Sequence, residues 1–197
     1  MPSSPPESAQ LSLLGNRPLH ALAFVAPSGT GKTTLLEATV AALVADGLAV
    51  AVLKASHHDH DLDREGKDSW RMQRAGAAFV GLCGPGRTTF FSRSGRDVWP
   101  PVARVAAWLA AAPFERFDVL LCEGFSSDPS VAKLRVVRGP WPSEIVHDDL
   151  VAIAWDGLDD DDVLGGGVPE ELAPAVARLP LDAARVARWI REDWIRR

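Results

Sequence analysis

Apolar residues along the chain gather into short runs separated by longer amphipathic stretches. The runs Ala21–Val25, Leu48–Lys54, Ala78–Cys83, Asp118–Cys122, Leu134–Val137 and Val151–Trp155 are short and β-branched or leucine-rich, as strands covered on both faces should be. Between them the spacing predicts helices over Lys32–Ala45, Ser69–Ala75 and Pro101–Ala111. A last helix is predicted over Ala183–Trp194, where Ala183, Val186, Ala187, Ile190 and Trp194 share one face behind Asp182 as N-cap. Thr88–Ser92 reads as a further short strand forming a hairpin with Ala78–Cys83. Alternating strands and helices predict an α/β fold, a mainly parallel sheet with helices on both faces. Ligands of such sheets sit at the carboxyl ends of the strands, so the residues just after each strand become the site candidates.

The first strand runs into Ala26-Pro27-Ser28-Gly29-Thr30-Gly31-Lys32-Thr33-Thr34, and a helical pattern starts at the lysine. A buried strand, a Gly-rich loop and a helix in that order gather backbone N–H groups around one point. The positive end of the helix dipole lies behind them, and the Lys32 ammonium folds over the top. Nucleotide phosphates suit such a nest, with the Thr33 hydroxyl placed for Mg²⁺. The expected fold is therefore P-loop NTPase-like. One position departs from the pattern G-x-x-x-x-G-K-[ST]: Ala26 stands at its first glycine.

Two further strand ends carry dense chemistry. After Leu48–Lys54, residues 55–71 hold His57, His58, His60, Asp59, Asp61, Asp63, Lys67, Asp68 and Arg71. Three readings compete there: a zinc or nickel site on the histidines, a loop whose Asp63 approaches Mg²⁺ through water while Lys67 and Arg71 meet phosphate, and a solvated loop. Neighbouring histidines diverge in extended backbone, which makes them a poor single-ion site within one chain. After Asp118–Cys122 comes Glu123-Gly124-Phe125, a carboxylate ending an apolar strand in the Walker-B manner. It is suited to the water shell of Mg²⁺ or to orienting an attacking water. Lys133 and Arg138 bracket Leu134–Val137, and Asp156 ends Val151–Trp155; either end is placed to meet a nucleobase or ribose. Asp156 is suited to guanine N1–H and the exocyclic amine, and equally to an Asp-Gly turn.

The chain's 197 residues fit a disordered tail over 1–18 and a single nucleotide-binding domain over 19–197, with room for a flap. A net charge of −5 gives no general attraction to nucleic acid or anionic membrane. No apolar run approaches the roughly 20 residues of a membrane span, and Met1–Gln10 has neither a basic region nor an apolar core. A cytoplasmic location is expected. Cys83 and Cys122 sit in apolar runs and read as buried reduced thiols. Asp159–Asp162 and Gly165–Gly167 read as exposed loop, and Trp108, Trp189 and Trp194 as core or interface residues.

The segments together resemble the MobB family, the adaptors of molybdopterin-guanine dinucleotide biosynthesis. The resemblance rests on Pro27–Thr34, on His57-His58-Asp59-His60-Asp61-Leu62-Asp63 running into Gly66-Lys67-Asp68-Ser69-Trp70-Arg71 and Ala75-Gly76-Ala77, on Glu123-Gly124-Phe125, and on Lys133–Arg138. It covers roughly residues 19 to 156. Gly-Lys-Asp-Ser after a His/Asp-rich loop is its most specific part. Ala26 departs from the family pattern, as does Ser126, where a lysine usually follows Glu-Gly-Phe. The resemblance implies a homodimer that binds GTP with Mg²⁺, hydrolyses it slowly at most, and works beside a molybdopterin guanylyltransferase of the MobA type. It implies that Pro27, Ser28, Gly29, Thr30, Gly31, Lys32, Thr33 and Thr34 hold phosphates. Thr33, Glu123 and Asp63 would set the metal, Asp63 and Glu123 would serve any hydrolysis, and Lys67, Asp68, Arg71 and Asp156 would line the cleft. Two other readings stand beside it. One is a small-metabolite kinase whose lid carries Arg87, Arg93 and Arg96; the other is a metal-delivery GTPase using His57, His58 and His60.

Overall fold

In the computed structural model, which describes residues 19–56, 65–85, 87–92, 101–111, 116–141, 149–158 and 175–196, the apolar runs become strands. The elements begin with β1 (His20–Val25), α1 (Lys32–Ala45), β2 (Val50–Lys54), α2 (Asp68–Arg74), β3 (Phe79–Gly84) and β4 (Arg87–Ser92). There follow α3 (Val102–Ala110), β5 (Val119–Glu123), β6 (Ala132–Val137), β7 (Leu150–Trp155), β8 (Ala177–Pro180) and α4 (Ala183–Trp189). The chain divides into two units, Met1–Ala55 with Pro101–Arg197, and Ser56–Pro100.

The first unit is built on a six-stranded sheet in the order β2-β5-β1-β6-β7-β8, and every neighbouring pair in it is parallel. Its central strands are buried on both sides, as their unalternating sequence requires. On one face Leu22, Phe24, Leu121, Leu134 and Val136 pack against Leu35, Leu36 and Leu43 of α1 and against Val186, Ala187 and Ile190. On the other, Ala23, Val25, Leu120 and Cys122 meet Val102 and Ala106 of α3. Helices thus cover both faces, and β1 and β5, which carry the two strongest candidate motifs, lie side by side.

Asp182 caps α4 as expected, its Oδ1 accepting from the Arg185 N–H at 2.9 Å. The helix does not continue as α to Trp194. It widens into a π-turn over Ile190–Trp194, with the Ile195 N–H donating to the Ile190 carbonyl. β8 was not expected: four residues long, with a charged residue inside and Pro180 at its end, it carries no apolar run and belongs at a sheet edge.

In the second unit β3 and β4 form an antiparallel pair, the expected hairpin. Cys83 is exposed, against the sequence reading, on a ribbon where Phe79, Leu82 and Phe90 are exposed as well. Cys122 is buried; burial, aided by the Asp128 carboxylate and opposed by Lys133, pushes its thiol up to about 12. Trp108 is half exposed, whereas Trp189 is buried in the core. The tail over 1–18, Asp159–Asp162 and Gly165–Gly167 lie outside the described residues. No helix among the described residues is long and apolar enough to cross a membrane.

Candidate functional site

The loop after β1 turns on two glycines in the left-handed region, Gly29 at φ 80° and Gly31 at φ 88°. L side chains rarely adopt either conformation, so the sequence places glycine where the backbone demands it. Ala26 is not such a position: among the described residues only Phe125 is a non-glycine with positive φ, so the alanine costs no strain. Gly31 is the N-cap of α1 and, being glycine, offers no side-chain cap to that helix. Its first-turn N–H groups therefore form a positive helix end facing the loop. Pro27 closes the turn, its carbonyl accepting from Thr30 Oγ1 at 2.8 Å and from Lys32 Nζ at 3.4 Å. The Lys32 ammonium folds back over the loop, where a polyanion would meet it.

Register brings Glu123 to the same place. Phe24 of β1 and Lys54 of β2 both pair with Glu123 at the end of β5. Thr33 Oγ1 donates to Glu123 Oε1 at 2.6 Å, and Lys54 Nζ donates to Oε2 at 2.9 Å. Partial burial works against the carboxylate charge. The hydrogen bonds from Thr33 and Lys54, with the charges of Lys54 and Lys32, more than offset it and hold the carboxyl below its ordinary value. Glu123 is therefore ionised at neutral pH. A hydroxyl and a carboxylate are hard oxygen donors, and the carboxylate already holds one cation in Lys54, so this donor set fits Mg²⁺. Lys54 was not singled out in the sequence. Its signal is a lysine ending an apolar strand, and only the strand order shows that it adjoins Glu123. Beyond Glu123 the chain turns sharply through Gly124 at φ 90° and Phe125 at φ 58°. The following residue, Ser126, is exposed.

β6 lies next to β1, and β7 follows beyond it. Asp156 Oδ1 accepts from the Gly139 N–H at 2.8 Å, and Trp155 Nε1 donates to the Gly139 carbonyl at 2.8 Å. Trp141 meets Trp155 edge to face, ring centroids 5.1 Å apart. Arg138 reaches the phosphate loop, its Nε donating to the Thr30 carbonyl at 3.3 Å. Lys133 does not serve a ligand. Fully buried near the amino end of β6, its ammonium donates to the Asp128 carbonyl at 2.6 Å, the Val131 carbonyl at 2.7 Å and the Asp149 carboxylate. Three acceptors use all three of its N–H groups, which makes it a structural tie.

The other expected site residues belong to the second unit. Lys67 is the N-cap of α2, Asp68 begins it, and Arg71 lies one turn on, 3.9 Å from the Asp68 carboxylate on an exposed face. Arg87 starts β4. Asp63, His57, His58 and His60 lie outside the described residues, as do Arg93 and Arg96.

Comparison with known proteins adds to this geometry. The model of the family described as Molybdopterin guanine dinucleotide synthesis protein B, MobB, matches residues 21–156. The molybdopterin-guanine dinucleotide biosynthesis adapter protein of Escherichia coli K12 is 34% identical over 148 residues, 73% of this chain and 82% of that protein. The protein of the same name from Haemophilus influenzae Rd is 37% identical over 116 residues, 58% of this chain and 61% of its own length. Among solved structures, Bacillus subtilis MobB superposes with a TM-score of 0.57 at 21% identity, covering 87% of this chain and 96% of that one. A crystal structure of molybdopterin-guanine biosynthesis protein B gives 0.57 at 25% identity, covering 90% and 99%.

Proposed function

The chain belongs to the MobB family, and from that premise we propose that it is a GTP-binding adapter in the biosynthesis of molybdopterin-guanine dinucleotide. In this role it works in the cytoplasm, as a homodimer, beside the guanylyltransferase that joins GMP to molybdopterin. The observation that carries the nucleotide part is the contact of Thr33 with Glu123, which closes a glycine-turned loop, a lysine and a strand-end carboxylate on one point. Residues 27–34 surround the phosphates, and Lys32 supplies the counter-charge. Thr33 and Glu123 hold Mg²⁺, which neutralises phosphate charge when bound. Asp156 faces the guanine. Hydrolysis, where it occurs, is slow.

A titration of GTP against ATP, with and without Mg²⁺ and the guanylyltransferase, tests the reading. Lys32→Ala removes charge-assisted hydrogen bonds to phosphate, so GTP affinity falls by ~1.5–3 kcal/mol, about tenfold or more. Absence of saturable GTP binding, with Lys32→Ala indistinguishable from wild type, would sink it.

A further inference from the structure

Arg138, the first residue beyond β6, contacts a loop 108 positions earlier in the chain. Its Nε bonds the Thr30 carbonyl at 3.3 Å, and its Nη2 lies 3.4 Å from where a Cβ on Gly31 would stand. The guanidinium thus lies against the peptide that joins Thr30 to Gly31. That peptide is planar and trans, so fixing the direction of the Thr30 carbonyl fixes the opposite direction of the Gly31 N–H. Gly31 needs the constraint. With φ at 88° and no side chain, it has more freedom than any other residue type to pivot the amide that begins α1.

Arg138 is itself held. The next residue, Gly139, is tied at its N–H to Asp156 and at its carbonyl to the Trp155 indole, both 2.8 Å. Hydrogen bonds from the end of β7 thus fix Gly139, and the covalently adjoining Arg138 carries the link on to the phosphate loop. We propose that Arg138 is a positioning residue of the polyphosphate site: it orients the Thr30–Gly31 peptide so that the Gly31 N–H faces the phosphates of a bound nucleotide. The inference rests on the nucleotide-binding reading above. Its ligand class is the nucleoside triphosphate, recognised through its phosphates rather than its base.

The test titrates the full chain with GTP and with inorganic tripolyphosphate, which lacks base and sugar. Arg138→Ala weakens both ligands by a similar factor, about tenfold, because each loses an oriented amide. Arg138→Lys, which keeps one donor and the charge, recovers part of the loss. In ¹⁵N-labelled protein the Gly31 amide resonance moves on adding tripolyphosphate to wild type and moves less in Arg138→Ala, while the ligand-free thermal midpoint stays the same. Wild type that binds both ligands, with Arg138→Ala equal to it, overturns the proposal alone. A loss confined to GTP also overturns it, since the arginine would then be a base contact. Wild type that binds neither ligand overturns the nucleotide reading and this proposal together.

Discussion

The hydroxyl of Thr33 donates to the carboxylate of Glu123 across 2.6 Å, joining positions 90 residues apart. Parallel pairing of β1 with β5 brings this about, because it sets the loop that leaves one strand beside the last residue of the other. Glu123→Gln preserves shape and a Thr33 partner while removing the charge. The gain in GTP affinity on adding Mg²⁺ shrinks by about tenfold, as a charged oxygen donor becomes neutral. Binding in EDTA holds or improves, because a negative charge near the phosphates is gone. Parallel titrations in Mg²⁺ and in EDTA read both effects, and an Mg²⁺ enhancement equal to that of wild type would contradict the assignment.

Lys54 competes for the same carboxylate. Its ammonium lies 2.9 Å from Glu123 Oε2, on a side chain 59% exposed against a carboxylate 12% exposed. With one partner in water the pair contributes only ~0.5–1 kcal/mol after screening. A cation entering at Glu123 must displace or share it. Lys54→Ala therefore lowers the Mg²⁺ concentration needed to half-saturate the GTP complex, by about two- to fivefold. A higher Mg²⁺ requirement in the variant would mean that Lys54 assists the nucleotide rather than competing with the metal.

Acid sensitivity follows from Asp128, which holds the start of α3. Its carboxylate accepts from the Val102 N–H at 2.7 Å, from the Ser130 N–H at 2.8 Å and from Ser130 Oγ at 2.6 Å. Burial disfavours the charge, but these bonds and the Lys133 ammonium keep the pKa below its ordinary 3.8. A folded pKa below the unfolded one stabilises the native state at all pH values above the unfolded pKa. That stability is lost as pH falls through the folded pKa. Glu123 is shifted in the same direction. Urea unfolding should therefore give a stability that is level near neutrality and declines below about pH 4. Asp128→Ala costs ~1–2 kcal/mol at pH 7 as a lost cap, and the difference from wild type narrows at pH 3. A difference that stays constant across that range would rule out this carboxylate as a source of the acid limb.

Much of this was legible in the chain, for identifiable reasons. Apolar runs announce β1, β2, β5, β6 and β7, although cover on both faces is a property of the central strands and Val52 of the edge strand β2 is half exposed. Glycine at 29 and 31 marks a backbone that only glycine adopts readily. Composition does not encode strand order. The sequence therefore gives no sign that Lys54 adjoins Glu123 or that Arg138 reaches Thr30, since both depend on which strand ends are neighbours. Lys133 misled because a lysine flanking an apolar strand looks like a ligand contact. Its acceptors, one of them the partly exposed Asp149, come from segments outside the strand. Cys83 misled for a related reason: an apolar run looks the same in a covered sheet and in a two-stranded ribbon. β8 stayed hidden because an edge strand needs no apolar run.

The turn that ends β5 offers a test of how tightly the carboxylate is held. Gly124 has φ 90°, and a Cβ built on it would lie 2.8 Å from the Ala55 Cβ. Gly124→Ala thus incurs two separate costs. The left-handed backbone costs ~1–2 kcal/mol for a residue with a Cβ, and the contact with Ala55 adds overpacking of ~1–3 kcal/mol. Only the second is relieved by Ala55→Gly, which on its own destabilises by ~0.5–1 kcal/mol. The double variant should therefore be more stable than the sum of the two single changes by about 1 kcal/mol, and still less stable than wild type. Urea unfolding of the four proteins measures that coupling directly. Additivity within ~0.3 kcal/mol would show that the Ala55 methyl does not confine the turn. Because Gly124 follows Glu123 directly, Gly124→Ala also loosens the bond from Thr33, and its Mg²⁺-dependent GTP affinity should fall together with its stability.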